Sequence, residues 1–152
     1  MKIKVYIEIE QFSNIKYEYD KDQQKLMIDR ILDEPFTYPY SYGYIPNTLA
    51  LDNDELDALI ISNSPIKNDT HYDAYIIGCL VMEDEKGMDE KILCVLEEDN
   101  ISNLDDKIKN NIYNFFANYK KNSSNKWSRV IGFISKDSAI ELYKKSIIAS
   151  PK

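Results

Sequence analysis

The order of the hydrophobic patterns constrains the fold of this chain most strongly. Short strand-like segments fill the sequence up to Leu96, and helical patterns appear only after it. The early segments have a period near two and are separated by polar turns, which is typical of strands. Strands followed by helices in one short chain indicate an α+β fold. We therefore expect a mainly β structure, a small antiparallel sheet or barrel, with helices packed against it.

Six segments carry the strand pattern, and their approximate ranges are 5–9, 15–19, 25–30, 56–61, 72–82 and 92–96. The first three are short and close together, so they are expected to form a meander. A tyrosine-rich run at 37–46 contains Pro39 and Pro46, and these prolines argue against a central strand there. Gly43 in the same run allows a close approach between backbones.

Two helices are predicted after residue 104. Apolar residues recur at helical spacing over 108–119, directly after an acidic pair that suits a helix N-terminus. A second helical pattern begins near Ser135 and places Ile140 and Ile147 on one face, with Ser135 or Asp137 as the capping residue. With 152 residues and no repeat or linker, the chain is predicted to be one domain over 1–152.

Charge and composition exclude several classes of partner. The net charge of −7 argues against nucleic acid and anionic membranes, because both are bound through basic surfaces. The longest apolar run, 74–82, is too short to span a bilayer. Because no secretory pattern is present, a cytoplasmic location is expected. Cys79 and Cys94 both lie in apolar runs and are expected to be reduced core residues.

The stretch DNDELD at 52–57 places Asp52, Asp54 and Asp57 ahead of a buried strand. No regular element puts all three carboxylates on one face, so a loop must bring them together. The spacing lacks the glycine and the final glutamate of an EF-hand, which excludes that type of calcium site. A solvated acidic turn and a site for Mg²⁺ or Mn²⁺ both fit this stretch, and Asp84 and Asp89 form a second acidic pair around Gly87.

Taken in order, these motifs resemble those of the soluble, family I inorganic pyrophosphatases, from about Val5 to Trp127. The stretch 52–58 looks like the signature of that family, with Glu55 where proline is commoner. The resemblance also covers short motifs before and after the signature, which are 7–9, 15–18, 29–30, 38–44, 84–91, 115–120 and 126–127.

The resemblance implies a distorted, OB-like five-stranded barrel with two flanking helices. It also implies Mg²⁺-dependent hydrolysis of pyrophosphate to two orthophosphates, with Mn²⁺ or Zn²⁺ as possible substitutes. In the implied mechanism a metal-bridged hydroxide attacks in line, and Asp54 is the general base.

The resemblance also assigns roles to residues of this chain. The residues implied to hold metals or their water ligands are Asp52, Asp57, Asp84, Asp89, Glu8 and Glu18. Those implied to hold phosphate oxygens are Lys16, Arg30, Tyr42, Lys91, Tyr119 and Lys120. The residues implied to hold these side chains in position are Asp29, Tyr38, Glu85 and Lys126.

The short bacterial members of the family usually form hexamers, in which histidines often lie at a subunit contact. Asn114 and Asn118 stand at those positions here, so a homo-oligomer is expected and a hexamer is implied only by resemblance. Two other functions stay open at this point. One is a non-catalytic module that binds metal or phosphate, and the other is a metal-dependent hydrolase of a different small phosphoanhydride.

Overall fold

The computed structural model describes residues 1–148, in which eight strands, two α-helices and one 3₁₀ turn are present. The strands are β1 (Lys2–Ile9), β2 (Ile15–Asp20), β3 (Lys25–Ile31), β4 (Ser41–Ile45), β5 (Leu56–Ile61), β6 (Thr70–Asp84), β7 (Gly87–Val95) and β8 (Ser128–Ile134). The helices are α1 (Asp106–Asn118) and α2 (Lys136–Ser146).

Five strands close into a ring. They pair in the order β1, β4, β5, β7 and β6, and β6 pairs back onto β1. Neighbours in the ring are antiparallel except β5 and β7, which are parallel. β8 adds to β6 along residues 79–84. The ring and the two helices confirm the predicted mainly β, α+β fold with a five-stranded barrel.

The predicted meander of the first three strands is wrong. β1 pairs with β4 on one side and β6 on the other, so both of its edges are occupied. β2 and β3 instead pair with each other as a separate two-stranded sheet, called here the hairpin. This hairpin stands beside the ring and becomes one side of the cavity described below.

The tyrosine-rich run forms a central strand, contrary to the sequence prediction. Pro39 and Pro46 flank β4 instead of lying within it, so neither removes a backbone donor from the ladder. A Cβ at Gly43 would lie 1.7 Å from the Tyr6 carbonyl oxygen, which confirms the predicted close backbone approach. β8 was also missed, because its residues are only partly buried and carry a weak pattern.

The ring strands are buried on both faces. On β5, Ala58 and Ile60 join a cluster that includes Ala139 of α2, whereas Leu59 and Ile61 join a cluster that contains the buried face of α1. Cys79 and Cys94 are buried and unpaired, as predicted. These two clusters fix the strand ends from which the polar cavity is built.

The helix boundaries agree with the sequence patterns. The Asp105 side chain accepts a hydrogen bond from the Ile108 N–H and caps α1. Ser135, not Asp137, caps α2 by accepting from the Ser138 N–H at 3.3 Å. Ile147, which the sequence pattern placed on one face of this helix, lies one residue beyond its end. Within residues 1–148, neither helix has the length and apolar character needed to cross a bilayer.

Candidate active site

A polar cavity of about 600 Å³ opens between the ring, the hairpin and the segment that follows α1. Every site residue predicted from the sequence lines it. They are Glu8, Lys16, Glu18, Asp29, Arg30, Tyr38, Tyr42, Asp52, Asp54, Asp57, Asp84, Glu85, Asp89, Lys91, Tyr119, Lys120 and Lys126. The fold thus brings together segments that are far apart in the sequence.

The acidic loop, residues 50–55, is a compact turn ahead of β5. The Ala50 N–H donates to the Asp54 carbonyl at 2.8 Å, and the Asp54 N–H donates to Asp52 Oδ1 at 3.1 Å. Asn53 takes the left-handed backbone conformation, with a φ of 68°, that closes the turn. Leu56 then enters the core, and because side chains alternate along a strand, Asp57 faces the cavity.

Lys91 is the most enclosed charge of the cavity. Its side chain is 3% exposed, and its Nζ lies 3.0 Å from Asp57 Oδ2, 3.1 Å from Asp89 Oδ2 and 2.7 Å from the Tyr42 hydroxyl. Burial alone would lower the pKa of Lys91, but the two carboxylates outweigh it and raise that pKa well above its usual value. Lys91 is therefore a cation at neutral pH.

The neighbouring carboxylates have raised pKa values. Burial raises the pKa of Asp57 to about 6, although Lys91 opposes the shift. Burial also raises the pKa of Glu8 to about 7, although the hydrogen bond from the Tyr19 N–H at 2.8 Å acts to lower it. Removal of the charged form from water disfavours it, and nearby carboxylates add to the cost. This part of the cavity therefore favours a bound cation.

The turn between β6 and β7 carries a second ionic group. Lys120 Nζ lies 3.1 Å from both Asp84 Oδ2 and Glu85 Oε2. Burial opposes the ionisation of Asp84, but hydrogen bonds from the Lys86 N–H and from Lys120 lower its pKa. Glu85 also accepts from the Trp127 N–H at 3.1 Å, which ties the segment after α1 to this turn.

The hairpin contributes the more exposed charges. Lys16 Nζ lies 2.8 Å from Asp29 Oδ2, and this hydrogen bond lowers the pKa of Asp29. Arg30 lies over the Tyr119 ring at 5.7 Å and donates to Ser123 Oγ at 3.4 Å. Within residues 1–148, its buried Nε has no hydrogen-bond partner. That guanidinium is placed to bind an anion.

Aromatic side chains form the floor beneath these charges. Tyr38 and Phe115 rings lie 4.7 Å apart, and Phe115 stacks on Tyr119 at 5.0 Å. Lys91 Nζ lies 4.9 Å from the centre of the Tyr42 ring and 5.3 Å from that of Phe116. The rings fix the tyrosine hydroxyls, and Lys91 meets Tyr42 at its hydroxyl and lies over the ring of Phe116.

The donors of the cavity fit a hard divalent cation. Among the described residues that line it, the possible side-chain ligands are carboxylate and hydroxyl oxygens and the amide oxygen of Asn53, with no histidine or cysteine. As the side chains of residues 1–148 stand, however, no three acidic, histidine or cysteine residues are arranged to hold a metal ion. Lysines engage one oxygen each of Asp57, Asp84 and Asp89, so side chains must shift to bring three carboxylates onto one ion.

Sequence reasoning missed several residues of the cavity. Lys21, Tyr44 and Phe116 line it but were not predicted there. Tyr44 lay in the tyrosine-rich run and Phe116 on the predicted helix stripe, so both carried a weak signal. Lys21 lay in a polar turn, and only the fold places it beside the acidic loop.

Comparison with known proteins identifies the family. A sequence model described as inorganic pyrophosphatase matches residues 5–150. The chain belongs to the inorganic pyrophosphatase family. The family predicted from the ordered motifs is thereby confirmed, and so is the prediction that the chain is an enzyme of the hydrolase class.

Individual relatives agree along nearly the whole chain. The inorganic pyrophosphatase of Campylobacter jejuni is 43% identical over 155 residues, covering 96% of this chain and 90% of that protein. The solved structure of the Helicobacter pylori inorganic pyrophosphatase has a TM-score of 0.91 at 40% identity, covering 96% of this chain and 91% of that one. The Coxiella burnetii structure has a TM-score of 0.91 at 34% identity, covering 96% and 93%.

Proposed function

We propose that the chain hydrolyses inorganic pyrophosphate to two orthophosphates with Mg²⁺, which Mn²⁺ or Zn²⁺ can replace. One observation carries the proposal: a single cavity gathers the acidic loop, the acidic β6–β7 turn and the basic residues of the hairpin. Its carboxylates suit divalent cations, and its lysines and arginine suit phosphate oxygens. The relatives named inorganic pyrophosphatase support the same reaction.

The carboxylates that would hold the metals are Asp52, Asp57, Asp84 and Asp89, with Glu8 and Glu18 oriented toward their water ligands. Bound divalent cations supply charge neutralisation and lower the pKa of water from 15.7 to roughly 7. The raised pKa values of Glu8 and Asp57 support this role, because burial disfavours each charged carboxylate and a bound cation would offset that cost.

Asp54 would accept the proton of the attacking water. It lies at the exposed rim of the cavity, and its N–H and carbonyl are both hydrogen-bonded within the acidic loop. Those bonds hold its backbone while the carboxylate stays accessible. A positioned carboxylate of this kind acts as a general base.

Lys16, Arg30, Tyr42, Lys91, Tyr119 and Lys120 would hold the phosphate oxygens. The buried Arg30 Nε supports this assignment, since an anion would supply the hydrogen-bond acceptor that it lacks within residues 1–148. Fixed cations stabilise the charge that accumulates on the leaving phosphate. Asp29, Tyr38, Glu85 and Lys126 would keep these groups in place.

The proposal extends to the setting of the enzyme. Residues 1–152 act as one domain, in the cytoplasm, as a homo-oligomer whose hexameric form rests on resemblance alone. The net charge of −7 makes nucleic acid and anionic membranes unfavourable partners. Gel filtration with light scattering would measure the assembly.

Phosphate release from pyrophosphate by the purified protein tests the reaction. The assay uses Mg²⁺ at about 5 mM, on the order of what a partly hydrated ion needs, and a parallel sample with EDTA. Rapid release that EDTA abolishes is expected. No release from folded protein with Mg²⁺, Mn²⁺ or Zn²⁺ would mean that the chain is a binding module instead.

Substitution of the proposed base separates catalysis from binding. Asp54→Asn is expected to reduce kcat by about 10²- to 10⁴-fold while the protein still binds Mg²⁺. Unchanged turnover would contradict the role of Asp54. ATP and tripolyphosphate, assayed beside pyrophosphate, test whether another phosphoanhydride is preferred.

A further inference from the structure

An ion pair spans the mouth of the cavity at two residues outside the proposed catalytic set. Lys21 Nζ lies 2.5 Å from Glu55 Oε1. Lys21 belongs to the turn between β2 and β3, and Glu55 is the last residue before β5. The lysine side chain is 73% exposed and the glutamate 24%, so the lysine extends through solvent to a carboxylate that is already partly enclosed.

The pair joins two parts of the fold that share no strand ladder. The hairpin is a separate sheet, and β5 belongs to the ring. Two other contacts between hairpin and ring involve Tyr19, whose N–H donates to Glu8 and whose ring lies 5.4 Å from Tyr6. Those contacts fix a strand of the hairpin, whereas Lys21 fixes its turn.

The glutamate is directly bonded to the residue proposed as the base. Asp52, Asn53 and Asp54 are exposed, and the loop is held by a few hydrogen bonds among its own residues. Glu55, and after it Asp54, raise the pKa of Lys21, which agrees with a lysine drawn toward this loop. Because a peptide bond joins Glu55 to Asp54, a displacement of the Glu55 backbone would also move that of Asp54.

We propose that Lys21 and Glu55 are positioning residues whose ion pair ties the hairpin turn to the acidic loop and so holds Asp54 opposite the basic hairpin residues. The consequence for catalysis rests on the proposed function. An exposed pair contributes modestly, which corresponds to about a two- to fivefold effect for each partner. Salt screens exposed charges, so the effect shrinks as ionic strength rises.

The experiment compares Lys21→Gln, Glu55→Gln, the double variant and the charge-reversed pair Lys21→Glu with Glu55→Lys. Lys25→Gln is the matched control, since it removes one lysine from the same hairpin at the position that pairs with Asp20. For each variant, kcat, KM and the hydrogen exchange of amides 50–55 are measured at low and at high salt.

Both single variants are expected to exchange about two- to fivefold faster in the loop and to lose a similar factor in kcat/KM at low salt. The double variant should be no worse than either single variant, and the charge-reversed pair should recover most of the loss. Lys25→Gln should leave the loop unchanged. Unchanged exchange in the single variants, losses that add in the double variant, or no recovery on reversal would each overturn the proposal.

Hydrogen exchange needs neither metal nor substrate, so it separates the two proposals. If wild-type protein releases no phosphate, the proposed function fails, while faster exchange in Lys21→Gln and Glu55→Gln would still support the tie between loop and hairpin. If wild-type protein is active and the exchange of the loop is unaffected, only the positioning role is wrong.

Discussion

Two walls of the cavity hold lysines in opposite environments. The buried wall consists of Tyr42, Asp57, Asp89 and Lys91 on ring strands, and its lysine is 3% exposed. The hairpin wall consists of Lys16, Asp29 and Arg30, and its lysine is 34% exposed. Burial strengthens each charge interaction and makes an unpaired charge costly, whereas solvent weakens both effects. The first wall should therefore carry stability as well as chemistry, and the second chiefly chemistry.

Loss of Lys91 should have the largest effect. Lys91→Met leaves Asp57 and Asp89 facing each other without a cation, so the free energy of unfolding should fall by about 3 kcal/mol in EDTA at pH 7. Lys16→Met, the matched change on the hairpin wall, should cost less than about 1 kcal/mol. Chemical denaturation measures both, and equal losses would remove the distinction between the walls.

The second-largest effect is expected from metal binding, which should depend on the buried wall more than on the hairpin wall. Mg²⁺ at a hundredfold excess over its dissociation constant should stabilise the protein by about 2.7 kcal/mol, because it binds only the folded state. Asp57→Asn should lose most of this gain, and Asp29→Asn should keep it. Thermal melts with Mg²⁺ and with EDTA test the contrast, and an equal response of the two variants would count against the ligand assignment.

The buried Glu8 carboxyl should also make the stability of the protein depend on pH. The Glu8 carboxyl has a folded-state pKa of about 7 against an ordinary value of 4.5, so the folded protein holds its proton more tightly. In EDTA this stabilisation is complete below about pH 4.5 and is lost as pH rises through 7, with a slope of at most about 1.4 kcal/mol per pH unit. Glu8→Gln should reduce that slope, measured by denaturation between pH 5 and 8, to the part that Asp57 contributes with its pKa of about 6; an unchanged slope would show that Glu8 is not responsible.

The smallest effect is expected at Asp29. Its pKa is lowered by Lys16, so its contribution is present above its ordinary pKa and lost as pH falls through the folded value. Because the pair is partly exposed, Asp29→Asn should cost less than about 1 kcal/mol at neutral pH. Asp29→Asn should change KM for pyrophosphate while stability stays nearly the same. Steady-state kinetics and denaturation measure the two, and a clear loss of stability with an unchanged KM would contradict the prediction.

The sequence predicted the members of the site better than their arrangement. The predicted strand at 92–96 began after Asp89 and Lys91, so their common face on β7 was not part of the prediction. Their meeting with Asp57 depends on the parallel register of β5 and β7, in which Asp57 lies beside Lys91, and local patterns do not encode that pairing. The contact between Lys21 and Glu55 depends on how the hairpin stands against the ring, which is likewise a long-range property.

The fold prediction failed where one local rule was applied too broadly. Two prolines were taken to exclude β4, although the six residues between them leave room for a strand of five. β8 carries no clear alternation because most of its residues stay partly exposed on both faces. β5, β6 and the second half of β7 were predicted because burial on the ring leaves a strong hydrophobic signal.

Closure of the ring also has a kinetic consequence. It requires β1 to meet β6 and β5 to meet β7, pairs separated by long stretches of chain whose closure entropy must be overcome before the contacts form. Lys91, Asp57 and Asp89 come together only when the second of these pairs is made. A chain that has collapsed without closing its barrel therefore has no assembled site, and the recovery of activity would report the completion of folding.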